Sequence, residues 1–365
     1  AVVLRSPAFG QKIVSVDDTE TRKVNGVTDV VQFSDEFGDK VAVLANSTWA
    51  AMKGKKALKA SWTQDSKAEN TAFHDETLIK LLDGNKFDTR RKDGDVKKAF
   101  AEADQVLERT YETPFVPHNC MEPMNFFANV TTNKIELVGP IQTPQSTAGR
   151  VARMLGRDVS EVTLEMTRMG GGFGRRLYSD FAIETAEIAD KVRKPVKMVS
   201  TREDDMTTGV YKPSFKYKIA ASLKDNKITG YHLIEVGING NMYGLIPHFF
   251  PAGCIPNYKV EAGRYNSNIT TGAWRAPYTN FLASAEQSFF DELAIELNID
   301  AIQLRLDLLQ NVKNTTDKRI QYSGKRMEDA IKLVKEKSNW GKTKNGVFQG
   351  FSAYYSHNTH VAEVA

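Results

Sequence analysis

The chain has 365 residues, 41% of them hydrophobic and 26% charged, with a formal net charge of +4. That length holds two or three domains and a large core, and the composition is that of a globular protein. Lys and Arg are interleaved with acids rather than massed, which argues against a nucleic-acid groove but allows a local anion site, and no apolar run reaches the roughly 20 residues of a membrane span.

The opening "AVVLRSPAFGQKIVSVD" starts in strand-like residues, and strand and short helical patterns alternate through "DTETRKVNGV", "VTDVVQF" and "KVAVLANS". "STWAAMKGKKALKASW" reads as an amphipathic helix running into a strand, with Ser47 or Thr48 as N-cap. Residues 1–62 therefore form a compact α/β unit. Residues 63–92 are polar and weakly periodic, a connector with one short helix. A new helix begins in "GDVKKAFAEADQVLERTYETPF", with Val96, Phe100, Ala103, Val106 and Leu107 on one face. It passes into an extended segment over 107–113, and Pro114 and Pro117 punctuate the loop beyond.

A strand at 134–138 meets Gly139-Pro140, and a helix over 144–155 ends at Gly156, a suitable C-cap. "EVTLEMTRM" alternates as a strand, "MGGGFGRR" follows it, and "SDFAIETAEIADKV" is a helix. "KPVKMVSTRED" reads as another strand, and "KPSFKYKIAASLKDNKITGYHLIEVGING" as a hairpin turned at Asp225-Asn226. Residues 283–309 are helical, with Phe289, Leu293, Leu297 and Leu304 inward. This interrupted order predicts mixed α+β domains, not a doubly wound sheet. Cys120 and Cys254 are too few to hold a thiolate zinc site or an iron–sulfur cluster alone. Two buried thiols and a single disulfide both remain open, the first being the commoner arrangement.

The glycine loop Gly170-Gly171-Gly172-Phe173-Gly174-Arg175 joins a strand to a helix. It is not GxGxxG, because the third glycine falls one place early, and it is not a P-loop. Two readings stay open. One is a tight turn with positive φ at some glycines. The other is a backbone-lined anion or cofactor site, in which glycine N–H groups, the N-terminus of the following helix, and Arg175 and Arg176 face something bulky and multiply anionic.

With its neighbours the loop becomes specific. "VPHNCMEPMNFFA", "GPIQTPQSTAGRVARMLG", "MGGGFGRR" and "GAWRAPYTNFLASAEQSFFDELA" together resemble the molybdenum-binding large subunit of the xanthine dehydrogenase and aldehyde oxidase family, in particular its isoquinoline 1-oxidoreductase beta subunits. The resemblance covers nearly the whole chain. It implies an α/β hammerhead domain at 1–62, a connector at 63–92, and the first half of a molybdenum cofactor-binding domain at 93–365. It implies molybdopterin as cofactor, in its cytosine dinucleotide form, and a small partner subunit carrying [2Fe-2S] clusters that passes electrons to an acceptor.

Carried over residue by residue, Gln142, Phe173 and Arg275 form the catalytic set, with Arg275 near substrate. Gly170, Gly171, Gly172 and Gly174 line the cofactor with them, and Arg175 and Arg176 serve its phosphates. Molybdenum would be held through the pterin, with no protein ligand. His118 and Glu122 are expected to buttress the loop, not to bind metal. The family's general base, a glutamate in a GEP-like motif, is absent from this chain, and Glu122-Pro123 belongs to an earlier segment. The expectation is therefore an internal fragment, inactive alone. Leu177 stands where purine-oxidising members carry an acid, which favours aldehydes or N-heteroaromatics as substrates. The competing reading is a cofactor-free scaffold that keeps the fold. The compartment, periplasm or cytoplasm, is left open.

Overall fold

A computed structural model describes residues 1–35, 38–64, 69–239, 246–277, 279–343 and 345–365. They fall into two units that interleave along the chain, Ala1–Thr71 with Phe115–Lys212 and Ser267–Arg275, and Ala72–Pro114 with Pro213–Asn266 and Ala276–Ala365.

In the first unit an antiparallel sheet runs in the order Val2–Arg5, Gly38–Ala45, Val27–Asp35, and Ile13–Asp17 pairs with Lys59–Trp62. The helix Thr48–Ala57 starts where its cap predicts, with the Ser47 hydroxyl accepting from the Ala50 amide. A second, mixed sheet is ordered Val162–Met166, Ile135–Gly139, Asn125–Val130, Val196–Val199. Its first two strands are parallel, joined by the helix Pro144–Leu155, which ends on left-handed Gly156 as expected. The helix Asp180–Val192 is buried on most of its circumference, and its Phe181 meets Phe126 edge-on at 5.7 Å between ring centroids. Val3, Phe33 and Ala42 of the first sheet share this core.

The second unit is built on a five-stranded sheet in the order Asp88–Asp93, Asn257–Tyr265, Lys227–Ile238, Phe215–Lys224, Gln105–Thr113. The hairpin turns at Asp225 and Asn226, both left-handed with φ of 51° and 57°, as a two-residue connection requires. The helix Thr279–Glu296 lays Phe281, Phe289 and Leu293 into one core with Phe215, Tyr217 and Tyr231.

Several expected elements differ. The helix at Val96 stops at Ala101, and residues 105–113 are a strand, because Val106 faces out while Leu107 is buried, an alternation of period two. Residues 283–309 form two helices. Asn298 at φ 52° ends the first, and the Asp300 carboxylate, accepting from the Gln303 amide, opens Ala301–Gln310. "KPVKMVSTRED" is a strand only to Val199, after which Thr201 caps the helix Arg202–Thr207. The stretch 63–92 contributes the helix Thr71–Leu82 and the sheet strand Asp88–Asp93, while its residues 65–68 lie outside the described residues.

Both cysteines are free and buried. Burial raises the Cys120 thiol and pushes Cys254 up to about 12. Native protein is expected to react with a thiol reagent such as Ellman's about a hundredfold more slowly than free cysteine, and the denatured chain to release two equivalents. Rapid modification of one thiol in the folded chain would contradict the packing.

Candidate cofactor site at the glycine loop

Parallel pairing creates this site. Ile135–Gly139 and Val162–Met166 run side by side with Met166 opposite Gly139, so their C-terminal ends release two loops at one sheet edge. One loop carries Gln142 and the other the glycines. The Thr167 amide donates to the Gly139 carbonyl at 3.2 Å, and the Gln142 amide to the Arg176 carbonyl at 2.9 Å, which ties the loops together.

The glycines are required by close approach and by backbone angle. A Cβ on Gly172 would fall 2.7 Å from Gln142 Oε1, so the Gln142 side chain lies directly on that residue. Gly174 has φ of 104°, and a Cβ there would sit 2.2 Å from the Ala273 carbonyl oxygen. Between them Phe173, 43% exposed as a residue, holds φ of 53°, an uncommon backbone angle for a bulky residue. Arg275 donates its amide to the Phe173 carbonyl at 2.8 Å, and its guanidinium carbon lies 6.0 Å from the ring centroid. Gln142, Gly172, Phe173, Gly174 and Arg275 are thus brought together.

The loop's peptide groups are sorted by direction. The Gly170 carbonyl accepts from the Glu122 amide at 3.0 Å, that of Gly171 from Arg176 Nε at 2.7 Å, and that of Gly172 from the Arg175 amide at 2.8 Å. Cys120 Sγ also donates to the Gly172 carbonyl, at 3.5 Å. The Phe173 carbonyl is taken by Arg275. In a trans peptide the N–H points opposite to its own C=O. The amides of Gly171, Gly172, Phe173 and Gly174 therefore point away from these donors, and none meets an acceptor among the described residues. Nor does the Gln142 side chain.

The two arginines do not act as expected. Arg175 is buried and forks onto Asp180 through Nη1 and Nη2 at 2.7 and 2.6 Å. Arg176, with no exposed surface, bonds among the described residues to the carbonyls of Gly171, Pro140 and Glu122 and to the Glu122 carboxylate. Both guanidiniums are buried and engaged by protein groups, so neither is available for the phosphate contact expected of it. The following helix begins at Asp180, beyond a short turn Arg175–Leu177, and its first turn is buried. Its N-terminus is covered by protein.

His118 and Glu122 do buttress the loop. Burial drives the His118 imidazole down to about 4 against its two carbonyl partners. The neutral ring can donate to only one of them; Nε2 lies 2.7 Å from the Ala273 carbonyl and Nδ1 3.1 Å from that of Val210. Burial acts to raise the Glu122 carboxyl, but the Gly170 amide, Asn125 and Arg176 outweigh it and hold it below the usual range. Tyr178 was not singled out in the sequence. Its hydroxyl receives the Ala273 amide at 2.6 Å and fixes the segment behind Gly174. Among the described residues no cluster of His, Cys, Asp or Glu could hold a metal ion.

A family profile described as the molybdopterin cofactor-binding domain matches residues 81–309. The chain belongs to this family. It is 27% identical to the membrane-bound aldehyde dehydrogenase (pyrroloquinoline-quinone) of Gluconacetobacter polyoxogenes, over 92% of this chain and 47% of that protein. It is 25% identical to the nicotinate dehydrogenase large molybdopterin subunit of Eubacterium barkeri, over 84% and 81%. Identity to the isoquinoline 1-oxidoreductase subunit beta of Brevundimonas diminuta is 23%, over 100% and 48%. The chain thus spans about half the length of two of these relatives. The crystal structure of quinoline 2-oxidoreductase from Pseudomonas putida 86 shares the fold, with a TM-score of 0.72 at 17% identity over 97% of this chain and 53% of that one. Family membership and fold agree with the molybdopterin-binding resemblance and the α+β architecture read from the sequence.

The loop fits a molybdopterin. Four amides that meet no acceptor among the described residues, and the amide side chain of Gln142, can offer hydrogen bonds to an oxygen-rich ligand, at a place where Cβ atoms on Gly172 and Gly174 would collide with Gln142 and Ala273.

Proposed function

We propose that the chain forms the cofactor-binding face of a molybdenum hydroxylase that oxidises an aldehyde or an N-heteroaromatic substrate with oxygen taken from water. Electrons would pass to a [2Fe-2S] partner subunit and on to an acceptor. In this reading residues 1–62 are the hammerhead domain and 93–365 the first part of the cofactor-binding domain. The cofactor is molybdopterin, in the cytosine dinucleotide form.

The observation that carries the proposal is the row of four amides over Gly171–Gly174 that meet no acceptor among the described residues, while the carbonyls of the same loop are taken by protein donors. Bound there, the cofactor supplies two-electron oxidation chemistry. The amides of Gly171, Gly172, Phe173 and Gly174 bind and orient it, and the Gln142 amide donates to one of its oxygens. Arg275, exposed beside the Phe173 ring, positions substrate. Leu177 is 38% exposed and adds an apolar rather than a charged neighbour, which suits a neutral aldehyde or heterocycle. Glu122 is not the general base, because its Oε2 is committed to the Gly170 amide at 2.9 Å and to Arg176 at 3.0 Å.

Expression of the full reading frame in a host that makes the cofactor tests this. About one molybdenum and one pterin per chain are expected by elemental analysis and pterin fluorescence, with isotopic oxygen from labelled water appearing in the product. Metal-free protein from a host that loads a control molybdoenzyme would instead support the scaffold reading.

A further inference from the structure

We infer that Arg176 and Glu122 are positioning residues, a clamp of a buried guanidinium and a partly exposed carboxylate that sets which way the glycine loop's amides point. This inference rests on the cofactor reading above and deepens it.

Three consecutive glycines cannot hold a direction unaided. Glycine tolerates both signs of φ, so a peptide plane between two glycines can turn over with little resistance from its own chain. Turning the Gly171–Gly172 plane would bury the Gly172 N–H and present a carbonyl oxygen outward, replacing a donor by an acceptor in the middle of the row. Something outside the loop must prevent this. Arg176 Nε takes the Gly171 carbonyl at 2.7 Å. The same guanidinium donates through Nη2 to the Glu122 carbonyl at 2.9 Å and to Glu122 Oε2 at 3.0 Å, and through Nη1 to the Pro140 carbonyl at 3.3 Å. One planar group therefore fastens three separate segments, those at 122, 140 and 171.

Glu122 completes the clamp from the other side. Its amide takes the Gly170 carbonyl at 3.0 Å, and its Oε2 takes the Gly170 amide at 2.9 Å. A Cβ on Gly170 would lie 2.4 Å from Glu122 Cβ, so the two residues are in direct contact. Arginine is required by geometry, not only by charge. A lysine ammonium is a single point and cannot reach carbonyls lying in three directions, whereas the planar fork does. With no exposed surface at Arg176, water does not replace the lost bonds.

Arg176→Lys and Glu122→Gln test the clamp. The first measurement is amide hydrogen exchange on the cofactor-free 365-residue chain. In Arg176→Lys, the amides of Glu122 and Gly170, bonded to each other's residues in the clamp, and that of Arg175, bonded to the Gly172 carbonyl of the held loop, should exchange at least about tenfold faster. The helices Pro144–Leu155 and Asp180–Val192 should exchange at the wild-type rate. Unchanged exchange at those three amides overturns the inference. Should Arg176→Lys open the helices as well, Glu122→Gln, which removes only one charge, is expected to raise exchange at Gly170 about threefold, and no change there overturns it equally. The second measurement is molybdenum and pterin content in the full reading frame, expected to fall at least about tenfold in Arg176→Lys relative to wild type. A loosened loop that keeps its full molybdenum overturns the positioning role and leaves the cofactor reading intact. A wild type that takes up no molybdenum although these three amides are protected sinks the cofactor reading, and the positioning role with it.

Discussion

Replacing Gly174 by alanine is expected to abolish cofactor uptake while both units remain folded. The residue holds φ of 104°, a region that side-chain-bearing residues rarely enter, and the added Cβ would come within 2.2 Å of the Ala273 oxygen and 2.8 Å of its carbonyl carbon. The neighbour cannot yield. The Ala273 carbonyl is gripped by His118, and its amide by the Tyr178 hydroxyl at 2.6 Å. The loop must therefore move, and the amides over Gly171–Gly174 move with it. Strain and lost packing together amount to about 3 kcal/mol of local destabilisation. Gly149→Ala is the matched control, since it lies in the helix Pro144–Leu155 with nothing within 4 Å of a Cβ, and it should stabilise slightly, by up to about 1 kcal/mol. Molybdenum content and a thermal unfolding curve on both variants check this. A Gly174→Ala protein with a full complement of metal would show that the loop's geometry is not what binds.

The second large effect concerns stability against pH in the second unit. Glu286 is buried on the helix Thr279–Glu296, where the Tyr231 hydroxyl donates to one carboxylate oxygen at 3.1 Å and that of Tyr354 to the other at 2.8 Å. Burial raises its carboxyl to about 7, with the two tyrosines acting the opposite way. Glu235, opposite Tyr217 in the sheet register, is pushed up to about 8 by burial. A carboxyl whose folded value lies above its unfolded one contributes stability through its protonated form. That stability is fully present below about pH 4.5 and is lost as the pH rises through 7 for Glu286 and through 8 for Glu235.

Glu286→Gln keeps a neutral group in place at every pH. It should be more stable than wild type above pH 8 by about 3 kcal/mol, and equal to it or weaker by about 1 kcal/mol near pH 4. Urea unfolding at the two ends of this range reads the difference. An effect of the same sign and size at both would mean that Glu286 is not the titrating group.

Much of the fold was legible because local rules settle it. Ser47 starts a helix, Gly156 ends one, Asp225-Asn226 turns a hairpin, and the strand–glycine–helix order at 162–192 follows from residue type and period. Where local rules misled, a longer-range demand had won. Val106 and Leu107 suit a helix face, but pairing along the strand Phe215–Lys224 draws them into a sheet. The strand Asn257–Tyr265 gave no separate signal, because it is held between Lys227–Ile238 and Asp88–Asp93, both distant along the chain.

The candidate site divides in the same way. Residue type singled out the glycines, because glycine most readily admits such close approach and such backbone angles, whereas Gln142, Phe173 and Arg275 were picked out by the family resemblance. Direction was decided by the tertiary structure. Arg175 and Arg176 look alike in sequence, and both suggested phosphate binding. One found Asp180 five residues on, and the other found carbonyls at Gly171, Pro140 and Glu122, as many as 54 positions away. A sequence records which donors a chain owns. Where each one points depends on which acceptors folding brings within about 3 Å, and that is set by packing between distant segments.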